Sequence, residues 1–203
     1  DVQLGKGDTR ADGKSIMSVM LLAAPVGSDV ELEVTGPDQD EAFEMSDRVV
    51  LMNSGQVEQI SSPEELYDSP STRFAAEFIG ETNLIAGVIA QANQEDAVIE
   101  AALGSRHMAR MQAGRLAQGD RAYLMVRPER VDIETEPPAN GGALEAVVTK
   151  RVFSGDQLSF TLRTRDGQEL LATKPSIARY RGIEPEAAVW ERLQDCRALP
   201  MEG

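Results

Sequence analysis

Cysteine, histidine, tryptophan and long apolar runs are all scarce in this sequence. A single cysteine, Cys196, excludes an internal disulfide and fits a reducing cytosol. The one histidine, His107, stands beside arginines in "GSRHMARMQ", where we expect a surface residue rather than a catalytic one. The flanks of Cys196, "LQDCRAL", do not suggest a reactive thiol, and no Cys/His/Asp spacing is typical of a metal site. We therefore predict no catalytic residue and no metal.

Basic residues are also few. The chain has 20 Lys and Arg but 34 Asp and Glu, which gives a formal charge of −14. A surface of this sign is repelled by nucleic acids and by anionic membranes, so we predict neither as a partner. Between Asp29 and Asp47 there are eight acidic residues and no basic one, which we interpret as a solvated face. The chain begins at Asp1 without a methionine, so we expect a trimmed or excised piece.

The stretch "GKGDTRADGKSIM" (5 to 17) ends like a nucleotide-binding P-loop but has the wrong spacing. A P-loop requires a glycine where Asp8 stands, and Asp8 and Asp12 would repel a phosphate. The run "SIMSVMLLAAP" that follows is too short to cross a bilayer, and acidic residues precede it, unlike in a secretory signal. We predict a short helix capped by Ser15, with one face buried and another free for a partner.

Further along the chain, turn signals separate short predicted elements. "DVELEV" (29 to 34) alternates as a half-exposed strand does, and "DRVVLMNSGQVEQI" (47 to 60) predicts a hairpin. Ser62, Pro63 and Glu65 are typical of a helix start, and a second helix is expected to stop at Gly80. From about residue 83, many short β-prone runs, with a hairpin turn at Asp166-Gly167, predict a small barrel or sandwich.

Two families resemble successive parts of the chain. "KGDTRADGKSIMSVMLLAAPVGSDVELEVTGPDQDEA" (6 to 42) resembles the second half of HPr, the phosphocarrier of the bacterial sugar phosphotransferase system. The resemblance implies that Ser15 is a regulatory serine phosphorylated by a dedicated kinase. It also implies that Ile16, Met17 and Met20 belong to a patch that docks partners. A plain helix cap explains Ser15 equally well, and the phosphorylated histidine of HPr lies in a half for which these residues have no counterpart.

The second resemblance begins at about residue 38. "DQDEAFEMSDRVVLMNSGQVEQISSPEELYDSPSTRFAAEFIGETNL" (38 to 84) is similar to the end of the nucleotide-binding domain of ABC importer ATPases of the polyamine branch. "VRPERV" (126 to 131) and the β-rich remainder resemble the TOBE domain, an OB-like barrel that follows this domain and serves in dimer contact and regulation. For Arg127 and Glu129 we predict a structural ion pair or a domain contact, with a ligand role as the alternative.

These resemblances imply an α+β chain with three parts. An HPr-like αβ fragment (1 to 42) is followed by the C-terminal hairpin and helices of an ABC nucleotide-binding domain (43 to 82) and by a TOBE-like β-barrel (83 to 203). The seam lies in "VTGPDQDEA", where Gly36-Pro37 stand in place of the ATPase switch histidine. The two resemblances imply a fusion of parts of two proteins at this seam, either natural or engineered.

The resemblances also imply function, location and partners. The chain is expected to be the regulatory and dimerisation end of a putrescine/spermidine importer subunit, cytoplasmic and peripheral at the inner membrane. ATP and magnesium belong to the complete family member, and we predict no cofactor and no ATP hydrolysis for these 203 residues, which lack the phosphate loop and signature motif. Expected partners are its own copy or the permease and ATPase subunits. The alternatives are an HPr-like signalling module that meets phosphotransferase-system proteins, and a fusion without function that self-associates through the apolar faces of 43 to 80.

Overall fold

A computed structural model describes residues 2–34, 46–101, 104–112, 114–137 and 143–201. The chain divides into two compact units, which comprise residues 1–68 and 69–203. Among the described residues, no helix combines the length and the apolar character needed to span a bilayer. The predicted seam at 34 to 42 lies almost wholly outside the described residues.

The first unit begins with a three-stranded antiparallel sheet. Its strands are β1 (Val2–Lys6), β2 (Thr9–Asp12) and β3 (Glu31–Val34), in the order β2-β1-β3. Helix α1 (Ile16–Leu21) follows β2 and starts where predicted, because the Ser15 hydroxyl accepts a hydrogen bond from the Ser18 amide at 3.3 Å. The helix and the strand within 29 to 34 lie where the sequence indicates, and β1 and β2 form an additional hairpin before them.

A second hairpin and a helix complete this unit. Strands β4 (Val49–Asn53) and β5 (Gln56–Ser61) pair through the two-residue loop Ser54-Gly55. Both loop residues have positive φ, 51° and 80°, as a tight hairpin turn with the twist of its strands requires. Helix α2 (Pro63–Asp68) starts with Pro63 in its first position, and the Glu65 amide donates to the Ser62 hydroxyl at 3.2 Å. The structure thus has a hairpin within residues 47 to 60 and a helix that begins at Pro63, at the positions that the sequence indicates.

The second unit carries helix α3 (Arg73–Ile79) and two five-stranded sheets. Thr72 caps α3 and the helix ends at Gly80, as the sequence indicates. The first sheet is a closed barrel.

The barrel strands are β6 (Asn83–Ala92), β7 (Asp96–Ala101), β8 (Arg106–Arg110), β9 (Arg121–Val126) and β15 (Arg197–Pro200). Their order in the barrel is β15-β8-β7-β6-β9. The strands of the second, open sheet are β10 (Val131–Glu134), β11 (Leu144–Ser154), β12 (Gln157–Thr164), β13 (Glu169–Pro175) and β14 (Ala188–Leu193). Their order in the open sheet is β10-β14-β11-β12-β13. A 3-10 turn, Pro128–Arg130, precedes β10, and the short helix α4 (Ala178–Arg181) follows β13.

One hydrophobic core is shared by the two sheets. It is almost entirely aliphatic, as the low aromatic content requires, and Phe160 is its largest fully buried side chain. Asn83 joins the sheets: its amide nitrogen donates to the carbonyl of Leu171 at 2.9 Å, and its amide oxygen accepts from the Leu171 backbone at 2.7 Å. The sheets are therefore held together by polar contacts as well as by apolar burial.

The mostly β character expected from residue 83 onward is confirmed. A small barrel or sandwich was expected, and the region holds a closed barrel together with a second sheet on a common core. Strands β8, β10 and β15 gave no clear signal because they are short and interrupted by arginine, aspartate or proline. The hairpin turn at Asp166-Gly167 lies between β12 and β13, as predicted, and Gly167 has a φ of 86°.

Candidate functional site

A cavity of about 410 Å³ lies in the second unit, where residues of both sheets meet. Ile85, Ala101, Ser105 and His107 come from the barrel or its connections, whereas the other lining residues belong to the open sheet and its turns. They are Ala143, Leu144, Glu145, Thr164, Arg165, Asp166, Gln168, Leu170, Trp190 and Glu191. The volume is in the range of small-molecule sites, and the lining combines apolar and charged side chains.

Glu191 is the most unusual residue of this cavity. It lies in β14, opposite Ile133 of β10 on one side and Leu144 of β11 on the other. Only 2% of its surface is exposed, and neither carboxylate oxygen has a hydrogen-bond partner among the described residues. Burial, together with the nearby negative charge of Asp166, raises the pKa of the Glu191 carboxyl to about 7.

The other acidic side chains of the cavity differ from Glu191 because each has a partner. The Arg165 guanidinium forms an ion pair with Glu145, and the Thr164 hydroxyl donates to the Asp166 carboxylate. Asp166 is also exposed, so water screens its charge. Glu191 is therefore the cavity carboxylate whose charge is neither paired nor hydrated within the described part of the chain.

His107 is placed differently from the prediction. The sequence suggested a surface residue, but His107 is half-buried in β8 and lines the cavity. Burial lowers the pKa of its imidazole, which favours the neutral ring. The arginines that flank it, Arg106 and Arg110, are exposed, as the alternation of a strand requires. Reading the strand period in "RHMAR" would have shown that His107 and Ala109 point the same way.

Ser15 and its neighbours lie in the first unit. Ser15 is partly exposed, and its hydroxyl caps α1 as described above. Met17 and Met20 are exposed to 79% and 74%, and the side chain of Ile16 lies outside the described part of the chain. The structure thus gives the predicted serine and two of the predicted patch residues accessible positions, with Ser15 at the N-cap and both methionines within the six-residue helix.

Arg127 precedes the 3-10 turn between β9 and β10, and Glu129 lies within it. Arg127 is only 4% exposed, and its guanidinium donates to the carbonyls of Ala76, Gly80 and Glu81 at 3.0 to 3.3 Å. These carbonyls lie at the C-terminal end of α3, where a cation is favourable. The backbone carbonyl of Glu129 accepts from the Lys174 ammonium at 2.9 Å. The hydrogen bonds of Arg127 therefore connect α3 to the end of barrel strand β9.

An exposed apolar face lies on the hairpin of the first unit. Val50 pairs with Ile60 across the strands, and Met52 pairs with Val57. All four side chains are 50% to 55% exposed. Cross-strand partners share one face of a hairpin, so these four residues form a continuous apolar surface, which we call the hairpin face.

The described ranges hold neither a metal-binding cluster nor an exposed cysteine. No cluster of three or more His, Cys, Asp or Glu residues there could hold a metal ion. Cys196 is buried, and burial, with smaller effects of Asp195 and Glu191, raises the pKa of its thiol to about 12. A thiol with so high a pKa stays protonated and is a poor nucleophile.

Two family models match the chain in succession. Residues 1–49 match the model described as the PTS HPr component phosphorylation site, and residues 124–199 match the TOBE domain. The TOBE match runs from β9 to β15 and includes Arg127, Trp190 and Glu191. Both predicted resemblances are therefore confirmed, and they occur on one chain.

Curated relatives match a longer part of the chain than the TOBE model does. The spermidine/putrescine import ATP-binding protein PotA 1 of Pseudomonas aeruginosa is 40% identical over 166 residues, which are 81% of this chain and 44% of the relative. The putrescine transport ATP-binding protein PotG of Escherichia coli is 31% identical over 183 residues, which are 89% of this chain and 48% of the relative. The sulfate/thiosulfate import ATP-binding protein CysA of Thermosynechococcus vestitus is 31% identical over 81% of this chain and 42% of the relative. The chain spans less than half the length of these relatives.

A solved structure shares the fold of much of the chain. It is the cytoplasmic molybdate-binding protein ModG in a molybdate-bound crystal form, with a TM-score of 0.50 and 16% sequence identity. The match covers 64% of this chain and 96% of ModG. At this identity the likeness concerns the fold alone, and it agrees with the expected TOBE-like, OB-like architecture.

Proposed function

We propose that residues 38 to 203 act as the C-terminal regulatory and dimerisation part of the ATP-binding subunit of an ABC importer of the putrescine/spermidine type. The 40% identity to PotA 1 over 166 residues carries the proposal, and the TOBE match within it supports a regulatory rather than a catalytic role. The sulfate/thiosulfate importer subunit CysA is also similar, at 31% identity, so the polyamine assignment depends on the 40% identity to PotA 1. In this role the chain works at the cytoplasmic face of the membrane, next to permease subunits.

Hydrolysis of ATP is not a role that we propose for these 203 residues. They contain neither the P-loop spacing nor the Leu-Ser-Gly-Gly-Gln signature, and ATP and magnesium would be bound by the remainder of a complete subunit. Titration with ATP and magnesium in a calorimeter should therefore give no saturable heat. Saturation at one site would contradict this part of the proposal.

Dimerisation has a candidate surface in the hairpin face. Four exposed apolar side chains in cross-strand contact are a costly surface to leave in water, and their burial against a second subunit stabilises an assembly. We expect the chain to self-associate with concentration, measured by sedimentation velocity.

A chimera tests the proposed function directly. In PotA 1 of Pseudomonas aeruginosa, the matching C-terminal segment is replaced by residues 38 to 203, and putrescine uptake is measured in cells that lack the native subunit. We expect uptake to be retained, whereas a subunit truncated before this segment serves as the baseline. A chimera that expresses and folds but behaves like the truncated subunit would contradict the proposal.

A second function is proposed for the first unit, because residues 1–49 match the HPr model. Ser15 would be phosphorylated by the kinase that modifies HPr, and Met17 and Met20 would contact a phosphotransferase-system partner. A phosphate on the capping position would meet free backbone N–H groups of α1. Incorporation of phosphate by that kinase, lost in Ser15→Ala and retained in Ser18→Ala, is the expected result. Equal labelling of the two variants would exclude Ser15.

A further inference from the structure

We propose that the cavity of the second unit binds a small organic cation of the guanidinium class, which carries one positive charge and pairs with the carboxylate of Glu191. The inference concerns a ligand site and goes beyond the transport role proposed above. It depends on the burial and lack of partners of Glu191, not on the identity of the relatives.

The first step is the state of Glu191. A carboxylate that is 98% hidden normally accepts hydrogen bonds from protein groups, because an unpaired buried charge is strongly unfavourable. Both oxygens of Glu191 are buried and lack a partner within the described ranges, although the residue lines a cavity large enough for a ligand. A bound cation with N–H donors would supply both the missing charge and the missing hydrogen bonds.

The second step is the number of charges. Glu145 is paired with Arg165 and Asp166 is exposed to water, so Glu191 is the carboxylate that a desolvated cation would meet. The Arg165 guanidinium lines the same cavity, but Glu145 already compensates its charge. A second positive charge on a ligand would find no second buried, unpaired carboxylate among the described lining residues, so its removal from water would be unfavourable. The cavity therefore favours a monocation over a diamine or a longer polyamine.

The third step is the shape of the cationic group. A planar guanidinium presents two parallel N–H groups that match the two oxygens of one carboxylate. It is also more weakly hydrated than an ammonium group, so its transfer into a buried cavity costs less. Two partnerless oxygens at a 2% exposed residue are suited to this geometry.

The experiment uses the fluorescence of Trp190, which lines the cavity and is the chain's single tryptophan. The full chain is titrated at pH 8 with methylguanidinium chloride at millimolar concentrations, far below those at which guanidinium denatures proteins. We expect a saturable change. Glu191→Gln should weaken binding at least about tenfold, because the charge-assisted pair is lost. Glu95→Gln removes the same charge at an exposed position outside the cavity and should leave binding unchanged.

Competing ligands test two parts of the proposal, namely the single charge of the ligand and its guanidinium class. Tetramethylammonium chloride, which has no N–H donors, should produce no saturable change, and putrescine should bind more weakly than methylguanidinium. Absence of saturation with methylguanidinium, unchanged affinity in Glu191→Gln, or tighter binding of putrescine would each overturn the proposal. Should the Gln variant aggregate, the wild-type chain at pH 5.5 replaces it. Protonation of Glu191 then removes the negative charge that pairs with the ligand, and affinity must fall. The other charged or titratable groups of the cavity are His107, Glu145, Arg165 and Asp166.

Discussion

Replacement of Glu191 by glutamine is expected to stabilise the second unit at alkaline pH. The substitution keeps the volume and the polarity of the side chain but removes its ability to ionise. In the wild type, the folded chain must accommodate a carboxylate that is 2% exposed and has no partner within the described part of the chain. The unfolded chain hydrates the same carboxylate fully, so ionisation favours unfolding.

The size of the effect follows from the pKa. Burial, aided by the charge of Asp166, raises the pKa of Glu191 from 4.5 to about 7. Since one pKa unit corresponds to about 1.4 kcal/mol, the wild type loses about 3 kcal/mol of stability through this one group between low and high pH. The glutamine variant has no such loss, and its buried amide resembles the protonated acid in polarity.

The direction of the pH dependence is fixed by the sign of the shift. Because the folded pKa is raised, the stabilising contribution of the protonated form is fully present below pH 4.5 and is lost as the pH rises through about 7. The variant and the wild type should therefore be equally stable at pH 4, and the variant should be more stable by about 3 kcal/mol at pH 8. All other titrating groups are common to both chains and cancel in the difference.

Urea unfolding followed by Trp190 fluorescence measures this difference, because Trp190 lies in the same strand as Glu191. Glu95→Gln serves as the matched control and should follow the wild type at every pH, since Glu95 is exposed. A constant difference between the wild type and Glu191→Gln from pH 4 to pH 8 would refute the reasoning. It would mean that folding does not raise the pKa of Glu191, because water or a bound ion stabilises its carboxylate in the folded chain.

Three further predictions concern other contacts. Arg127→Ala should lower the free energy of unfolding of the second unit, measured in urea, by about 3 kcal/mol, because it leaves the carbonyls at the end of α3 without a donor. Arg121 is exposed, so the control Arg121→Ala should lower the free energy of unfolding by less than about 0.5 kcal/mol. Asn83→Ala should cost about 2 kcal/mol in the same assay and increase hydrogen exchange where the sheets join. The double variant Val50→Thr/Ile60→Thr should sediment as monomer at concentrations where the wild type associates, and unchanged association would exclude the hairpin face.

The local elements of this chain could be predicted because each depends on a few neighbouring residues. Ser62, Pro63 and Glu65 specify the start of α2, and Ser54-Gly55 specify the hairpin turn through their positive φ angles. Arg127 shows the limit of such reasoning. Its neighbours in "VRPER" suggested an ion pair or a domain contact, but its carbonyl partners lie about fifty residues earlier in the chain. No local pattern identifies a partner at that separation.

Closure of the barrel could not be predicted from local sequence patterns either. Strand β15 pairs antiparallel with β9 and parallel with β8, so the last described strand closes a sheet that begins at β6. Such closure depends on pairings between distant segments, which hydrophobic alternation within one strand does not encode. The cavity depends on the same pairings, since its lining comes from segments as far apart as Ile85 and Glu191.

Glu191 itself, however, could have been found from the sequence. In "AVWERL" the strand period places Val189, Glu191 and Leu193 on one face, so a carboxylate interrupts an otherwise apolar row. Two explanations remain for such an interruption: either the face is exposed, or the carboxylate is buried for a reason. Val189 is fully buried, which excludes the first. A buried acid that the fold does not pair destabilises the protein, and a bound cation would restore the lost interaction, which is why the proposed ligand site depends on Glu191.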